Sequence, residues 1–430
     1  MSAAIAAARK MGLHADQRRS AGGGTKETRI VILEAGSRPG RKICRTGNGR
    51  CNLTNRRQSR DCYRSGDGLL PERFYQDGWD DEVRTFMGTL GILTHERMQG
   101  YVYPRTDQAV SVAEALVKEA QKDGINIKCG ARVISCEKRE KEDGFLLLAE
   151  TGTERGTEQL TAERVILASG GLAAPEFCCR GDGYRLAESL GHEIVRPVPA
   201  LCALTTDETQ IRLASGVRVF ARVTLRSGSV VLGQSEGELQ ITERGISGIP
   251  VFQISRYASA ASSSSECLYA VIDFLPELAQ DVWERECERR IRSAAWPDTL
   301  GDFCRGLVPD RIAVWLLAGR NLVREKKIGN LSSDASARRQ MLQSVLDDMR
   351  GRSLRITGTD GFERAQVTAG GIALSEVTEN MESGLAEGLF LAGEVLDVDG
   401  ICGGSNLTWA IHSGLTAGRA AARSLQYGVD

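Results

Sequence analysis

The residues best suited to chemistry lie close together in one stretch, residues 388–413. A run typical of a buried strand, Leu-Phe-Leu-Ala, ends at a glycine, and three carboxylates follow closely. Further glycines precede an apolar helix predicted to begin near Asn406. Glycines let a backbone approach a flat ligand, a helix start offers free N–H donors, and carboxylates accept from sugar-like hydroxyls. The stretch predicts a ligand-binding crossover from strand to helix. Its chemically relevant residues are Gly393, Glu394, Asp397, Asp399, Gly400, Gly403 and Gly404.

Earlier in the chain, a carboxylate also ends a clear strand pattern, residues 29–34. This segment, Arg-Ile-Val-Ile-Leu-Glu, is apolar and β-branched in its centre and is followed by Gly36. In a dinucleotide-binding βαβ unit, the acid that ends the second strand accepts hydrogen bonds from ribose hydroxyls, which makes Glu34 a candidate for that role. From the strand alone, a carboxylate without a ligand is an equally good interpretation.

The strand at residues 29–34 is not preceded by the first strand of such a unit or by its Gly-x-Gly-x-x-Gly corner. An alanine-rich helix predicted at residues 1–13 comes first, followed by a polar segment, residues 14–28, that contains a glycine triplet at 22–24. A phosphate-binding corner must follow a strand and open a helix, so we interpret this segment as a loop insertion. The chain as given is therefore expected to be truncated by roughly a strand and a turn.

A second glycine-rich segment, residues 40–55, combines polar and basic side chains. Two glycines flank Asn48, two further asparagines follow, and Lys42 and Arg50 are among the basic residues. This composition suits a loop that wraps an anionic ligand rich in hydrogen-bonding groups.

These motifs together resemble a known family. Residues 47–55, Gly-Asn-Gly-Arg-Cys-Asn-Leu-Thr-Asn, residues 393–400, Gly-Glu-Val-Leu-Asp-Val-Asp-Gly, and the sequence Gly403-Gly404-x-Asn406-Leu407 are similar to those of bacterial NAD(P)/FAD-dependent oxidoreductases of the BaiN/HI0933-like kind. The resemblance covers nearly the whole chain. It implies an α/β fold in which a split FAD-binding Rossmann-like domain of the glutathione-reductase type contains an inserted β-rich and helical substrate domain. Further matching segments are residues 101–109, 168–171, 181–184 and 381–384.

The resemblance also implies where FAD binds. The pyrimidine edge of the isoalloxazine would lie against the turn at Gly403 and Gly404, where a helix N-terminus stabilises the negative charge that grows on reduction. Either Glu394 or Asp397 would hold the ribityl chain, and Glu394 is preferred because it directly follows the strand-Ala-Gly corner. The full predicted set of cofactor-binding residues is Glu34, Lys42, Gly47, Asn48, Gly49, Arg50, Cys51, Asn52, Val133, Gly170, Gly393, Glu394, Asp397, Gly400, Gly403, Gly404, Asn406 and Leu407.

The sequence departs from the family pattern just after these glycines. Family members often carry a bulky aromatic residue and a glutamine there, whereas this chain has Ser405 and Thr408. We therefore expect a more open flavin face or a different substrate.

The character of the sequence changes near Pro197. Short alternating segments after this point predict a small β domain, and residues 278–349 predict helices. Residues 237–250 resemble a family loop that reaches from the inserted domain toward the flavin. Within the first domain, a Ser-x-x-Glu capping box at residues 111–114 is predicted to open a helix. The predicted domains are residues 1–197 and 351–430 for FAD binding and residues 198–350 for the substrate.

Composition excludes several classes of protein. The 430 residues carry a net charge of -1, so no basic excess favours a nucleic acid or an anionic membrane surface as partner. No apolar run approaches the ~20 residues of a membrane-spanning helix. The 12 cysteines include no Cys-x-x-Cys pair. We expect a soluble, cytoplasmic protein with reduced thiols and no bound metal.

The sequence favours a FAD-dependent oxidoreductase. In the hypothesis that the resemblance supports, NAD(P)H is a transient electron donor, and hydride passes from the flavin to a C=C conjugated to a carbonyl in a small hydrophobic substrate, such as a bile-acid or steroid enone. One alternative is an amine or aminoketone oxidase that uses oxygen. Another is a non-catalytic binding module or remnant, because the phosphate-binding corner is missing.

The sequence assigns no catalytic acid. His412 lies in the terminal helix, but a single helical histidine is more often a packing or surface residue. Tyr103, Arg105 and Arg244 could polarise a substrate carbonyl and could equally be structural. No Ser-His-Asp series, metal-ligand cluster or Walker loop is present, which disfavours a hydrolase or a nucleoside triphosphatase.

Overall fold

The structure, a computed structural model, describes residues 1–13, 29–66, 68–139, 143–152, 156–261 and 267–426. The polar segment 14–28, with its glycine triplet, lies outside the described residues. Within the described part, the helices are α1 (Ser2–Lys10), α2 (Trp79–Thr89), α3 (Ala109–Lys122), α4 (Asp182–Ser189), α5 (Ile249–Ala261), α6 (Gln280–Ser293), α7 (Leu300–Cys304), α8 (Asp310–Ala318), α9 (Ala335–Gly351) and α10 (Ser405–Gln426).

Strands alternate with these helices along the chain. The strands of the described residues are β1 (Val31–Glu34), β2 (Thr54–Asn55), β3 (Tyr63–Ser65), β4 (Gly68–Leu69), β5 (Thr94–Glu96), β6 (Tyr101–Pro104), β7 (Asn126–Cys129), β8 (Ala131–Lys138), β9 (Phe145–Thr151), β10 (Gly156–Ala162), β11 (Val165–Leu167), β12 (Ile194–Ala200), β13 (Leu204–Thr205), β14 (Arg218–Ser227), β15 (Val230–Ile241), β16 (Gly245–Gly248), β17 (Leu268–Asp273), β18 (Arg352–Ile356), β19 (Gly358–Thr359), β20 (Val367–Ile372), β21 (Leu389–Leu391) and β22 (Asp399–Gly400).

The chain forms two units, and the first is built from both ends of the sequence. The first unit comprises Met1–Val198 and Gln366–Asp430, and the second comprises Pro199–Ala365. The predicted architecture, a split Rossmann-type domain with an inserted β-rich and helical domain, is confirmed. The second junction lies later than the predicted boundary at residue 350, because β18 and β19 complete the sheet of the second unit.

Parallel strand pairs organise the first unit. β1 pairs with β7, which places Glu34 opposite Cys129 at the carboxyl end of the strand. β11 pairs in parallel with β21, and each of these strands runs into a glycine corner. All three residues of β21 are buried, as expected for a strand covered on both faces. Since ligands bind at the carboxyl ends of parallel strands, this arrangement positions the predicted site.

Close packing of α1 on α10 explains why residues 1–13 are rich in alanine. Six consecutive residues of α1, from Ala3 to Ala8, are buried. On α10, Gly414 and Gly418 lie one turn apart and face α1. A Cβ atom added at Gly418 would stand 2.1 Å from the carbonyl oxygen of Ala3. The two helices can therefore approach this closely only if position 418 has no side chain.

We expect Gly418→Ala to lower the melting temperature of the protein. Alanine favours a helix by about 1 kcal/mol over glycine, but overpacking costs about 1–3 kcal/mol, and the clash here is with backbone. Gly88→Ala is the matched control, because Gly88 lies in α2 and a Cβ there meets nothing within 4 Å. Thermal unfolding should show a lower melting temperature for Gly418→Ala and an equal or higher one for Gly88→Ala. A Gly418→Ala protein as stable as Gly88→Ala would contradict the packing argument.

The sheet of the second unit closes on itself. Its strand order is β18-β17-β14-β15-β16-β13-β19, and only Thr357 separates the two terminal strands in the chain. The continuous segment 352–359 therefore pairs with β17 through its first half and with β13 through its second. Closure removes the exposed sheet edges that would otherwise pair with other chains. Alternate residues of β14, such as Val223 and Leu225, are fully buried in the core of this unit.

The predicted capping box at residues 111–114 is wrong. The helix begins two residues earlier, at Ala109, with Gln108 as N-cap residue. The hydroxyl of Ser111 donates to the carbonyl oxygen of Gln108 at 2.7 Å instead of accepting from an N–H group in the next turn. The chain leaves β6 through a tight turn, in which the N–H of Asp107 donates to Pro104, and so reaches the helix sooner.

The predicted loop at residues 237–250 is also wrong. Most of this segment is extended and belongs to β15 and β16, which pair with each other. Its glycines permit close strand packing: a Cβ at Gly245 would lie 2.0 Å from the carbonyl oxygen of Leu204, and one at Gly248 would lie 2.2 Å from that of Glu238. The loop was expected from the family resemblance, whereas in this chain the glycines of the segment serve the close approach of neighbouring strands.

Candidate functional site

The glycine-rich segment after β1 adopts an unusual left-handed backbone. Gly47, Asn48 and Gly49 have consecutive φ values of +56°, +55° and +81°, and Cys51 has a φ of +61°. A non-glycine residue in this region is strained, and such strain persists only where the surroundings enforce it. A Cβ at Gly47 would meet the N–H of Asn52 at 2.9 Å. The segment is thus a tight, pre-formed turn of the kind that binds anions through backbone N–H groups.

Two predicted ligand contacts in this segment hold the turn itself. Cys51 is fully buried, and burial raises the pKa of its thiol to about 11. The side-chain nitrogen of Asn52 donates to the carbonyl oxygens of Thr54, at 3.0 Å, and Val102, at 3.2 Å. Asn52 therefore anchors the turn to β2 and β6, and Cys51 packs into the core. Arg50 is exposed at the end of the turn, where it can contact a ligand.

Lys42 and Glu394 connect the two halves of the predicted site. Nζ of Lys42 lies 2.6 Å from Oε2 of Glu394, although the residues are 352 positions apart in sequence. Burial opposes the charge on Lys42, but the Glu394 carboxylate outweighs it, and the pKa of Lys42 is raised. The N–H of Thr368 donates to Oε1 of Glu394 at 2.9 Å. Glu394 is thus oriented by both partners, and its side chain retains 20% exposure.

Asp397, the alternative ribityl ligand, is enclosed by protein. It is 2% exposed, and its Oδ2 accepts from the N–H of Gly66 at 2.7 Å and from the hydroxyl of Ser65 at 3.2 Å. Between the two acids, Glu394 presents the greater accessible surface. The geometry thus agrees with the preference for Glu394, which remains a prediction.

The start of α10 is shaped by contacts within the protein. The side chain of Asn406 accepts from the N–H of Gly400 at 2.8 Å and donates to its carbonyl oxygen at 2.9 Å. A Cβ at Gly403 would lie 2.8 Å from the ring of Tyr101, and one at Gly404 would lie 2.7 Å from the backbone of Thr54. These glycines were predicted to admit a flat ligand. In the structure their lack of a side chain leaves room for a tyrosine ring and a strand, and the ligand contact stays a prediction.

The first turn of α10 keeps free donors. Within the described residues, no acceptor is bonded to the N–H groups of Asn406 and Leu407. A helix start with free N–H groups carries a positive dipole end and favours an anionic ligand.

Ser405 and Thr408 do not open a ligand face. They are 1% and 0% exposed, and the hydroxyl of Thr408 donates to that of Thr54 at 2.8 Å. The two departures from the family pattern are therefore interior positions, and the expectation of a more open flavin face finds no support in their placement.

Two tyrosines lie beside the loops of the site: Tyr103, already a candidate to polarise a substrate carbonyl, and Tyr101, which the sequence did not single out. In β6, Val102 and Pro104 are buried, whereas Tyr101 and Tyr103 alternate with them on the half-exposed face. Tyr101 lies against Gly403, and Cε1 of Tyr103 lies 3.5 Å from a Cβ built at Gly47. The alternation Tyr-Val-Tyr-Pro was the available signal, because it places both rings on one side of a strand.

Three other predicted cofactor contacts lie in or just after strands of the first unit. Oε1 of Glu34 accepts from the N–H of Gly36 at 2.7 Å, which orients the carboxylate at the end of β1. Gly170 follows β11 in the left-handed region, with a φ of +76°. Val133 lies in β8 beside a bulge in its pairing with β9.

The candidate catalytic groups His412, Arg105 and Arg244 have different surroundings in the structure. Nδ1 of His412 lies 2.6 Å from Oε2 of Glu82, and its ring stacks on Trp79 with centroids 4.2 Å apart. His412 is thus held by α2 through structural contacts. Arg105 is exposed, and Arg244 belongs to the second unit.

The described residues provide neither a metal-ligand cluster nor a membrane-spanning helix. No group of three or more His, Cys, Asp or Glu side chains there is arranged to hold a metal ion. None of the described helices has the length and apolar character needed to cross a membrane. All 12 cysteines are free thiols.

Comparison with known proteins extends over nearly the whole chain. The sequence model of one family, described as the HI0933-like protein Rossmann domain, matches residues 12–420. The chain is 37% identical over 421 residues to the 3-dehydro-bile acid delta(4,6)-reductase of Clostridium scindens, covering 98% of this chain and 96% of that protein. It is 28% identical over 405 residues to the ribosomal RNA dihydrouridine synthase of Escherichia coli, covering 91% of each. The Haemophilus influenzae protein of the same name is 27% identical over 384 residues, covering 89% of each.

Proposed function

This chain belongs to the HI0933-like family of Rossmann-domain oxidoreductases, and we propose that it uses FAD to reduce a carbon–carbon double bond conjugated to a carbonyl group. The proposed electron donor is NAD(P)H, and the proposed substrate is a small hydrophobic enone of the steroid or bile-acid type. The observation that carries the proposal is the Lys42–Glu394 pair, which joins the two glycine-rich segments of the first unit.

The residues of the first unit fit FAD. The strained turn at residues 47–50 and the exposed Arg50 suit its phosphates, and Glu34 suits a ribose hydroxyl. Glu394, oriented by Lys42 and Thr368, suits the ribityl hydroxyls. The first turn of α10 suits the oxygen and nitrogen atoms that gain negative charge on reduction. When bound, FAD would supply two-electron hydride chemistry, and the protein would supply position and electrostatics.

The names of the related proteins describe one type of reaction, the reduction of a carbon–carbon double bond conjugated to a carbonyl group. A 3-dehydro-bile acid with double bonds at positions 4 and 6 has those bonds conjugated to its 3-oxo group. A dihydrouridine is a uridine whose ring double bond, conjugated to a carbonyl, has been reduced. The two substrates differ greatly in size and charge, so the shared feature is the conjugated double bond. This shared feature supports the reaction type for the present chain, and the higher identity to the bile-acid enzyme supports a small hydrophobic substrate.

We expect the purified chain to contain FAD and to reduce a 3-oxo-4,6-diene bile acid when NADH or NADPH is supplied. Loss of dienone ultraviolet absorbance measures the reaction, and the product is identified by mass spectrometry. The matched control is the 3-hydroxy-4,6-diene, which keeps both double bonds but lacks the carbonyl. We expect turnover of the ketone to exceed that of the alcohol at least a hundred-fold, because hydride addition needs the carbonyl to accept charge.

Three further measurements separate the alternatives. Peroxide release with an amine substrate in air would favour an amine or aminoketone oxidase. Formation of dihydrouridine in a ribosomal RNA fragment, with no turnover of the dienone, would move the substrate to nucleic acid. Absence of bound flavin and of turnover with every substrate would favour a non-catalytic binding module.

A further inference from the structure

The proposed reaction needs a proton as well as a hydride, and the following inference rests on that proposed function. Hydride addition to the carbon β to a carbonyl must be completed by protonation at the α carbon. His412, the histidine closest in sequence to the predicted flavin-ring motif, is paired with Glu82 and stacked on Trp79. His95 is 3.1 Å from Oδ1 of Asp107. Both histidines are thus engaged by carboxylates of the protein.

Tyr101 and Tyr103 stand where the two glycine-rich loops meet. Both rings project from the half-exposed face of β6. The ring of Tyr101 lies against Gly403, and the ring of Tyr103 lies against Gly47. One loop precedes the start of α10 and the other carries Arg50. A ligand that contacted both loops would have to pass over these two rings.

Their phenol groups differ from those of other tyrosines in the first unit. Neither phenol oxygen of Tyr101 or Tyr103 forms a hydrogen bond within the described residues. By contrast, Tyr63 is fully buried and donates to Oε1 of Gln58 at 2.8 Å. The phenol oxygen of Tyr75 is enclosed in an aromatic cluster with Trp79. Only a phenol that is accessible and not bonded to protein can give its proton to a ligand.

Charged neighbours distinguish Tyr103 from Tyr101. The guanidinium of Arg97 lies 4.7 Å from the centre of the Tyr103 ring. Arg97 is held by Oδ2 of Asp107 at 2.5 Å, and Asp107 is also bonded to His95. Burial raises the pKa of Tyr103, so the phenol keeps its proton at neutral pH; Arg97 and Arg50 act in the opposite direction, and Cys402 and Asp107 add smaller upward effects. Both cations would therefore stabilise the phenolate that forms when the proton leaves. Burial also raises the pKa of Tyr101, but no cation is among the groups that act on it.

We propose that Tyr103 is the proton donor of the conjugated-bond reduction and that Arg97, anchored by Asp107, is its positioning residue. With reduced FAD bound, a C–H bond would form at the β carbon as the hydride leaves the flavin and its bond there breaks, and the electron pair of the C=C would move to the α carbon. The O–H bond of Tyr103 breaks as its proton forms the α C–H bond. The phenolate then takes a proton from water. The substrate gains two electrons and the flavin loses two.

The test compares Tyr103→Phe, Tyr101→Phe and Tyr75→Phe in the FAD-loaded full chain. A general acid contributes about 10²–10⁴-fold, so we expect Tyr103→Phe to slow oxidation of the reduced enzyme by the dienone at least a hundred-fold. Tyr101→Phe keeps the ring on Gly403 and should slow it much less. Tyr75→Phe removes a phenol oxygen that is enclosed in the aromatic cluster and should keep the wild-type rate. Reduction of the flavin by NAD(P)H, measured separately, should be unchanged in Tyr103→Phe.

Two readouts do not depend on turnover. A phenol close to the isoalloxazine quenches flavin fluorescence by electron transfer, so Tyr103→Phe should brighten bound FAD and Tyr75→Phe should not. In apo protein with ¹³C-labelled tyrosine, NMR titration should show that Arg97→Gln raises the pKa of Tyr103 while Arg97→Lys does so less. A merely structural Arg97 would lower the melting temperature without moving this pKa.

The outcomes separate this proposal from the proposed function. If the wild type reduces the dienone and Tyr103→Phe stays within three-fold of it, Tyr103 is not the donor. If the wild type reduces no conjugated substrate, the proposed function fails. In that case brighter flavin in Tyr103→Phe still supports the placement of the phenol at the flavin, and unchanged fluorescence overturns it.

Discussion

Gly404→Ala is expected to weaken FAD binding at least ten-fold and to lower the melting temperature. Gly404 has a φ of +101°, and a Cβ there would lie within 2.7–2.8 Å of three backbone atoms of Thr54. The backbone strain costs on the order of 1–3 kcal/mol, and overpacking adds about as much. Relief requires the start of α10 to move away from β2, which displaces the free N–H groups. Flavin titration and thermal unfolding measure the two effects.

The control for Gly404→Ala must place an alanine at a positive φ where its Cβ meets no neighbouring atom. Gly91 serves this purpose, because its φ is +77° and a Cβ there meets nothing within 4 Å. Gly91→Ala should lower the melting temperature slightly and leave FAD affinity unchanged. If Gly404→Ala is destabilised but binds FAD as tightly as the wild type, the start of α10 is not part of the flavin site.

Glu394→Gln is expected to weaken FAD binding by about ten- to a hundred-fold. The amide oxygen can still accept from the N–H of Thr368, but the negative charge that pairs with Lys42 is lost. A hydrogen bond to a charged group contributes about 1.5–3 kcal/mol, and each 1.4 kcal/mol is about ten-fold in affinity. The dissociation constant for FAD and the melting temperature of the apo protein should both be measured.

Two partner variants assign the effect of Glu394→Gln to its cause. Lys42→Met removes the other member of the ion pair, and the double variant completes a thermodynamic cycle. Because the two side chains are in direct contact, we expect their effects on apo stability to be non-additive. Asp397→Asn should chiefly lower apo stability, since Asp397 bonds Ser65 and Gly66. Weakened FAD binding in Asp397→Asn with normal binding in Glu394→Gln would reassign the ribityl contact to Asp397.

Local sequence patterns were sufficient for the elements around the site. The strand before Gly393, the terminal helix and the alanine-rich first helix were all predicted, because apolar periodicity and glycine corners are properties of neighbouring residues. Boundaries were less accurate. The Ser-x-x-Glu pattern at residues 111–114 mimicked a capping box, since the turn that actually starts α3 depends on how the chain leaves β6.

The roles of single residues inside the motifs were harder to predict. Gly403 and Gly404 were expected to face a ligand, and Ser405 and Thr408 to open its binding face. In the structure, the glycines lie against Tyr101 and Thr54 and the two hydroxyl residues are buried, while the ligand contact of the glycines stays a prediction. A glycine in a motif indicates that some group approaches the backbone closely, but the sequence alone does not identify that group.

By itself, the sequence determined the family, the α/β class and the two glycine-rich motifs that the site is built from. These follow from residue types at short spacing, which local physics and family resemblance can both interpret. Only the tertiary structure decided that Lys42 meets Glu394, that Asn406 closes on Gly400, and that Tyr103 stands between the two loops beside Arg97. Such contacts depend on which strands pair and how α10 packs, and these are properties of the whole fold.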